Sequence, residues 1–259
     1  MSQNRQGCNA FCLTHPNNCY GGLILEEIIR INNLTKSYGT NTVLKNVSFS
    51  LEGGQIIGLL GPNGSGKTSL IKILTGLIND YTGEVLVNGL KPGARTKSMV
   101  AYLPEKTYLA SWMTADDAIK YIADFYDDFD LPKAMHMLDM FQLPHKQKAR
   151  TMSKGQQEKL QLILVMCRNA KIYILDEPMG GVDPAARDFI LDSIIKNRPE
   201  GSTLMMSTHL IHDIEGVLDS IVMIGRGRLL MQDSVSHLTQ SGKTVNEVFK
   251  EVFASDWQF

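Results

Sequence analysis

The chain has 259 residues, 43% of them apolar, and its 26 Lys and Arg stand against 27 Asp and Glu for a formal charge of −1. That length supports one large domain, or a core carrying a small subdomain, with a sizeable interior, and the apolar content excludes a disordered chain. Near-neutrality excludes nucleic acid as a partner held through bulk charge, since the nearest basic run, His145-Lys146-Gln147-Lys148-Ala149-Arg150, is short and reads as solvated surface.

Residues 1–27 read as a flexible, Asn-rich extension hinged at Gly21-Gly22. Its spacing Cys8-x3-Cys12-x2-His15-x3-Cys19 offers three thiolates and an imidazole, the donors of a tetrahedral zinc site, but matches no common finger. Free thiols are the simpler reading. Cys167 stands apart in an apolar helical run, so the cysteines form no disulfide framework. No apolar run approaches the roughly 20 residues of a membrane-spanning helix, and the first 27 residues hold no signal-peptide core, so the expected location is cytosolic.

Beyond the extension, Glu27 to Asn33 and Val43 to Leu51 alternate apolar and polar residues around a turn at Tyr38-Gly39, which predicts a small antiparallel sheet. Gln55 to Leu60 is an apolar strand, and from Lys67 to Leu77 the apolar spacing turns helical. Buried strands follow at Met99 to Leu103, Ile172 to Leu175, Thr203 to Ser207 and Ile221 to Ile224. Between Leu103 and Ile172 the pattern is helical only, over Ala115 to Phe125, Pro132 to Phe141 and Ser153 to Cys167. The expected fold is α/β with a mostly parallel sheet, a small antiparallel subdomain and an all-helical insert over about residues 105–167.

Between the first apolar strand and its helix lies Gly61-Pro62-Asn63-Gly64-Ser65-Gly66-Lys67-Thr68, which satisfies G-x-x-x-x-G-K-[ST] in the required context. Such a loop turns successive backbone N–H groups toward a polyphosphate, and the helix behind it adds its positive end. Lys67 is expected to neutralise the β and γ phosphates, and the Thr68 hydroxyl to ligate a magnesium ion bridging them. This places the chain among nucleoside triphosphatases and kinases. Ile172-Tyr173-Ile174-Leu175 ends in Asp176-Glu177, at the carboxyl end of a strand where parallel-sheet proteins gather ligands. Asp176 is expected to hold the magnesium ion and Glu177 to orient and deprotonate the attacking water, provided the strand ends at Asp176 so that Glu177 can turn inward.

Upstream, Met152-Ser153-Lys154-Gly155-Gln156 opens a helix with Ser153 as N-cap. At this point the sequence resembles the ATP-binding domain of ATP-binding-cassette (ABC) transporters, whose signature Leu-Ser-Gly-Gly-Gln occupies this place relative to the acidic pair. The resemblance runs from about Ile28 to the C-terminus with all motifs in the family's order. It implies ATP and Mg2+ as ligands. It further implies that Tyr38 stacks on adenine, that Glu105 sits at the Gln-loop position near the metal, that Asp183 is the D-loop aspartate and that His209 is the switch histidine. As plain alternatives, Tyr38 is a turn aromatic, Asp183 a helix cap and His209 an ordinary polar residue; beside the phosphate loop and the acidic pair the functional readings are preferred.

In that family two domains face each other, each ATP lying between one phosphate loop, here Gly61 to Ser69, and the partner's signature, here Ser153, Gly155 and Gln156. A monomer completes neither site, so a second ATP-binding subunit is implied, and so is a separate membrane permease, with this chain peripheral on the cytosolic face. Three positions depart from the pattern. Lys154 replaces a signature glycine and is expected to face solvent, Glu105 replaces glutamine, and Gly180-Gly181-Val182-Asp183 makes a more permissive D-loop.

Tyr108, Leu109, Trp112 and Met113 form an apolar cluster where such domains receive a helix of the permease, with subdomain core as the open alternative. Phe125, Tyr126 and Phe129 read as core. Val245, Val248, Phe249, Val252 and Phe253 follow helical spacing, predicting an amphipathic helix over about 244–254. The short stretch after His209 resembles drug and peptide exporter cassettes. The competing classes are a soluble ABC-type ATPase not coupled to transport and an unrelated P-loop GTPase or kinase. The first usually carries tandem cassettes or a long coiled-coil insertion, neither of which is read here, and the second lacks an Asn-Lys-x-Asp base-reading motif and does not explain Met152 to Gln156.

Overall fold

A computed structural model of the chain describes residues 19–20, 23–24, 26–240 and 242–256. Cys8, Cys12 and His15 fall outside them. In chain order the elements are β1 (Cys19–Tyr20), β2 (Leu23–Ile24), β3 (Glu27–Tyr38), β4 (Asn41–Glu52), β5 (Ile56–Leu60), α1 (Lys67–Leu74), β6 (Thr82–Val87), α2 (Ala94–Lys97) and β7 (Val100–Leu103). Then come α3 (Ala115–Phe125), α4 (Leu131–Met140), α5 (Lys154–Met166), β8 (Ile172–Asp176), α6 (Pro184–Asn197), β9 (Thr203–Thr208), α7 (Ile211–Ile214), β10 (Ser220–Gly225), β11 (Arg228–Ser234), α8 (Val235–Gln240) and α9 (Val245–Asp256). β1 and β2 pair antiparallel, so part of the expected flexible extension carries regular structure.

The main sheet has the order β11-β10-β5-β9-β8-β7, parallel except for β11 at one edge. Its central strands are buried along their whole length because helices or the second sheet cover both faces. Side chains alternate between two cores accordingly. Ile56, Leu60, Tyr173, Leu175, Leu204 and Met206 point toward the helical insert and α6, whereas Ile57, Leu59, Ile172, Ile174 and Met205 point toward α1 and the β4-β3-β6 sheet.

Two strands escape the sequence pattern, β6 and β11. β6 carries Gly83 at φ +96°, where a Cβ would lie 2.5 Å from the Asn33 carbonyl, and only its last residues are buried. β11 is a half-exposed edge strand joined to β10 through Arg226 and Gly227, both at positive φ as a primed hairpin turn requires.

The insert packs as three helices with encoded ends. Thr114 and Asp117 form a capping box on α3, Asp130 caps α4, and Ser153 and Gln156 form a capping box on α5. Phe125 overturns its core assignment: it is 70% exposed. The buried stripe of α3 runs through Ala115, Ala118 and Ile119 with Ile122 packed against it, while Phe125, the last residue of the helix, stays exposed and stacks on Tyr121. Tyr126 and Phe129 are half-buried. Like the three helices, α9 falls close to its expected place and packs Val245, Val248 and Phe253 onto the core.

Arg168, just past α5, fixes the insert to the sheet. Its guanidinium donates to the Val100 carbonyl at 3.0 Å and the Ser98 carbonyl at 2.8 Å, and makes a two-armed pair with Asp128 at 3.0 Å on each arm. Removing it strands two carbonyls and a carboxylate. Arg168→Met is expected to lower the free energy of unfolding by about 3 kcal/mol in urea titrations; a loss of less than about 1 kcal/mol would show that the bracket is dispensable.

Candidate functional site

The loop after β5 is shaped by close backbone approaches. A Cβ on Gly61 would lie 2.2 Å from the Ile224 carbonyl of β10, and one on Gly66, at φ +111°, would lie 2.9 Å from the Val43 carbonyl. The chain therefore turns from β5 into α1 pressed between β10 and β4. Gly227 donates its N–H to the Ser65 carbonyl at 2.9 Å and accepts from the Lys45 N–H at 2.7 Å, locking the loop to the β10–β11 turn.

Lys67, the first residue of α1, folds back over this loop and donates to the Gly61 carbonyl at 2.7 Å and the Pro62 carbonyl at 3.3 Å. Its Nζ lies 3.8 Å from Glu177 Oε1. Burial lowers the lysine pKa, and the negative charges of Glu177, Asp176 and Glu105 oppose that shift. Asp176 ends β8, only 1% exposed, in register with Ser207 of β9, whose hydroxyl donates to Asp176 Oδ1. Thr68 hydrogen-bonds the same carboxylate. Burial raises the Asp176 pKa, those two hydrogen bonds lower it, and Glu105 and Glu177 raise it further.

The strand stops at Asp176. Glu177 adopts φ +52°, with its N–H donating to the Ser207 carbonyl at 3.0 Å, and this left-handed step swings its side chain back over the loop. There its Oε2 lies 3.0 Å from His209 Nδ1, directly after β9. Lys67, Asp176, Glu177 and His209, read from separate parts of the sequence, converge at the carboxyl ends of β5, β8 and β9. Among the described residues three buried oxygens here have no hydrogen-bond partner: Ser65 Oγ, Asp176 Oδ2 and Glu177 Oε1. Such groups are costly in an interior and point to ligands, a hydroxyl for a phosphate and an anionic oxygen for a cation.

Above them opens a cleft of about 1020 Å³. One wall is the loop from Asn63 to Ser69; the others are Glu105 with Lys106 and Thr107, the first turns of α5 through Lys154, Gln157, Glu158 and Gln161, and Gly180-Gly181. Glu105 is exposed at its rim. Lys154 is also exposed, as expected, with its ammonium 3.7 Å from Glu158.

The cleft does not gather every expected residue. Tyr38 stands at the end of β3, 48% exposed, and Asp183 caps α6 by accepting from the Ala185 N–H at 2.9 Å. Ser153 and Gln156 are engaged in their capping box, and a Cβ on Gly155 would meet nothing within 4 Å, so the start of α5 faces open space. Sequence reading missed Ser207, which only strand register places opposite Asp176, and Glu158, whose carboxylate lies where a Cβ on Gly181 would stand.

This arrangement is that of a P-loop nucleoside triphosphatase. The family model described as ABC transporter matches residues 44–180. The chain is 34% identical over 205 residues to an ABC transporter ATP-binding protein of Methanocaldococcus jannaschii, covering 77% of this chain and 75% of that one. It is 29% identical over 230 residues to the SkfA peptide export ATP-binding protein SkfE of Bacillus subtilis, covering 86% and 96%. A solved ATP-binding subunit of an ABC transporter superposes with a TM-score of 0.78 at 25% identity, over 87% of this chain and 99% of that one. The chain belongs to the ABC transporter family and is one of its ATP-binding, ATP-hydrolysing cassettes.

The buried, unpartnered oxygen of Asp176 and its raised pKa make the ionised carboxylate a cost to the fold. The folded state binds that proton more tightly than the unfolded chain, so its stabilising effect is complete below the ordinary carboxylate range and lost as pH rises through the elevated value. Asp176→Asn is expected to raise the melting temperature at pH 7.5, by about 2–4 °C for each kcal/mol recovered. ATP hydrolysis should fall about 100-fold or more in the same variant. An unchanged or lower melting temperature would contradict this account.

Proposed function

We propose that this chain is the energy-supplying subunit of a membrane exporter, peripheral on the cytosolic face of the membrane, and that it works face to face with a second ATP-binding subunit, identical or related, beside a separate permease. The observation that carries the reading is the Lys67, Asp176, Glu177 and His209 network beneath the loop. Its export assignment is supported by the peptide-export relative, which this chain matches along 96% of that protein's length. Among the described residues no helix is long and apolar enough to cross a membrane.

In this reading the N–H groups of Asn63 to Ser69 and the Ser65 hydroxyl hold the triphosphate, and Lys67 balances its β and γ oxygens. Asp176 Oδ2 beside Thr68 is a fitting donor pair for a hard divalent cation, with Glu105 completing the set from the rim. Bound there, Mg2+ supplies positive charge against the phosphate oxygens. Glu177 takes the proton of the attacking water, and His209 holds that carboxylate in place. The open start of α5 offers Ser153, Gly155 and Gln156, with the helix's positive end, to the nucleotide of the partner subunit. Asp183, at the mouth of its Gly180-Gly181 loop, joins that contact, and Tyr38 stacks on the adenine. Loss of the γ phosphate removes the contacts that favour the closed pair, which then opens and moves the permease.

The permease would dock on the exposed aromatics of the insert. Trp112 is 63% exposed and Tyr108 is exposed too, joined by Tyr121 and Phe125; Leu109 instead packs against the core.

Lys67→Ala is expected to weaken ATP affinity at least about 100-fold by calorimetry, because the loop loses its one buried cation. Affinity within twofold of the parent would exclude Lys67 from phosphate binding. Glu177→Gln should keep binding and lose turnover by about 100-fold or more. With ATP and Mg2+ it should also accumulate a dimer in light scattering. Unaltered steady-state hydrolysis would remove Glu177 as the base, and a strictly monomeric ATP-bound variant would remove the face-to-face pair.

A further inference from the structure

Lys36 is a lysine placed where a lysine is costly. It lies on β3 two residues before Tyr38, on the same face of the strand, and is only 1% exposed. The alternating pattern of β3 predicts an apolar residue there. Its Nζ donates to Asp80 Oδ2 at 2.6 Å and to the Asp80 carbonyl at 2.9 Å, and it lies 4.5 Å from the centroid of the Tyr38 ring. Asp80 itself belongs to the loop between α1 and β6 and is exposed.

One ammonium group thus joins three parts of the molecule: the strand carrying Tyr38, the ring itself, and the segment that follows the phosphate-loop helix. A cation against one face of an aromatic ring draws electron density toward itself and fixes the ring's orientation. The remaining face is then electron-poor and ready to stack on an electron-rich heteroaromatic base. Because Asp80 anchors the cation to the loop leaving α1, the ring is held at a set position relative to the phosphate loop at the other end of that helix.

We infer that Lys36 is a positioning residue for nucleotide binding, which presents the Tyr38 ring to the adenine and couples the base site to the phosphate site through Asp80. The inference rests on the reading of Tyr38 as the base-stacking residue. It assigns Lys36 an effect on ligands that carry a base and none on a bare polyphosphate.

The test is calorimetric binding of ATP and of inorganic tripolyphosphate to the full chain with Mg2+. Lys36→Met, which keeps the alkyl stem, is expected to weaken ATP binding about fivefold and to leave tripolyphosphate binding within twofold. Lys36→Arg, which keeps the cation, should restore ATP affinity to within about twofold of the parent. In a Tyr38→Leu background Lys36→Met should have no further effect on ATP, since a residue acting through the ring is silent without it. Equal losses for both ligands, or additive losses in the double variant, would overturn the inference and make Lys36 a general support of the fold. Tyr38→Leu weakened for ATP while Lys36→Met is silent would overturn it and leave base stacking intact, whereas full ATP affinity in Tyr38→Leu would remove both. Should Lys36→Met not fold, Asp80→Asn removes the negative charge from the anchor while the backbone carbonyl stays; a loss of about twofold for ATP alone is expected, and no loss would overturn the inference.

Discussion

An ammonium group buried against carboxylates is the interaction on which this molecule turns. Lys67 sits under the phosphate loop with Glu177 at 3.8 Å and the charges of Asp176 and Glu105 acting on it. Burial lowers the lysine pKa and raises that of Asp176. The carboxylates oppose the shift of the lysine, and the Ser207 and Thr68 hydroxyls oppose that of Asp176. The balance remains uneven, since a single lysine faces three carboxylates and Asp176 Oδ2 and Glu177 Oε1 have no hydrogen-bond partner. That imbalance is what ligands of both signs can relieve, an anion on the lysine and a cation on the aspartate, so stability withheld from the free fold becomes binding energy.

The rest of the fold holds these charges at fixed separations. Gly61 and Gly66 allow the loop to sit against β10 and β4, closer than any side chain permits, and Gly227 pins it from the β10–β11 turn. On the opposite side, the register of β8 with β9 sets Ser207 on Asp176, and the left-handed step at Glu177 brings its carboxylate round to His209. Most of these contacts are made by backbone or by short side chains with few rotamers, which gives the carboxyl end of the sheet its precision.

Most of this was legible in the sequence for a physical reason: it is contiguous. The loop, the acidic pair and the signature are short runs whose chemistry depends on neighbours in the chain, and the fully buried strands announce themselves as apolar runs. What was hidden depends on partners across the sheet. Ser207 and Lys36 look ordinary until register and packing place them on Asp176 and Tyr38. β6 and β11 were missed because a glycine at positive φ and an exposed edge dilute the alternation, although Gly225-Arg226-Gly227 carried a turn signal. Helical spacing alone carries the apolar stripe of α3 on to Phe125, three residues past Ile122, but the helix ends there and the ring is left exposed beside Tyr121.

The helix α5 links the two kinds of information. From Leu160 to Met166 it is buried in the larger core, and Arg168 just past its end brackets it to β7, so its carboxyl half is bound to the sheet. Its amino half is not. The first turn stands open, Glu158 lies on Gly181 of the loop that follows Glu177, and Gln161 accepts the Tyr108 N–H beside the exposed aromatics of the insert. The middle of the helix thus touches both the segment after Glu177 and the segment before Trp112. Both contacts bear on the turn from Glu158 to Gln161, one turn beyond the open start of α5.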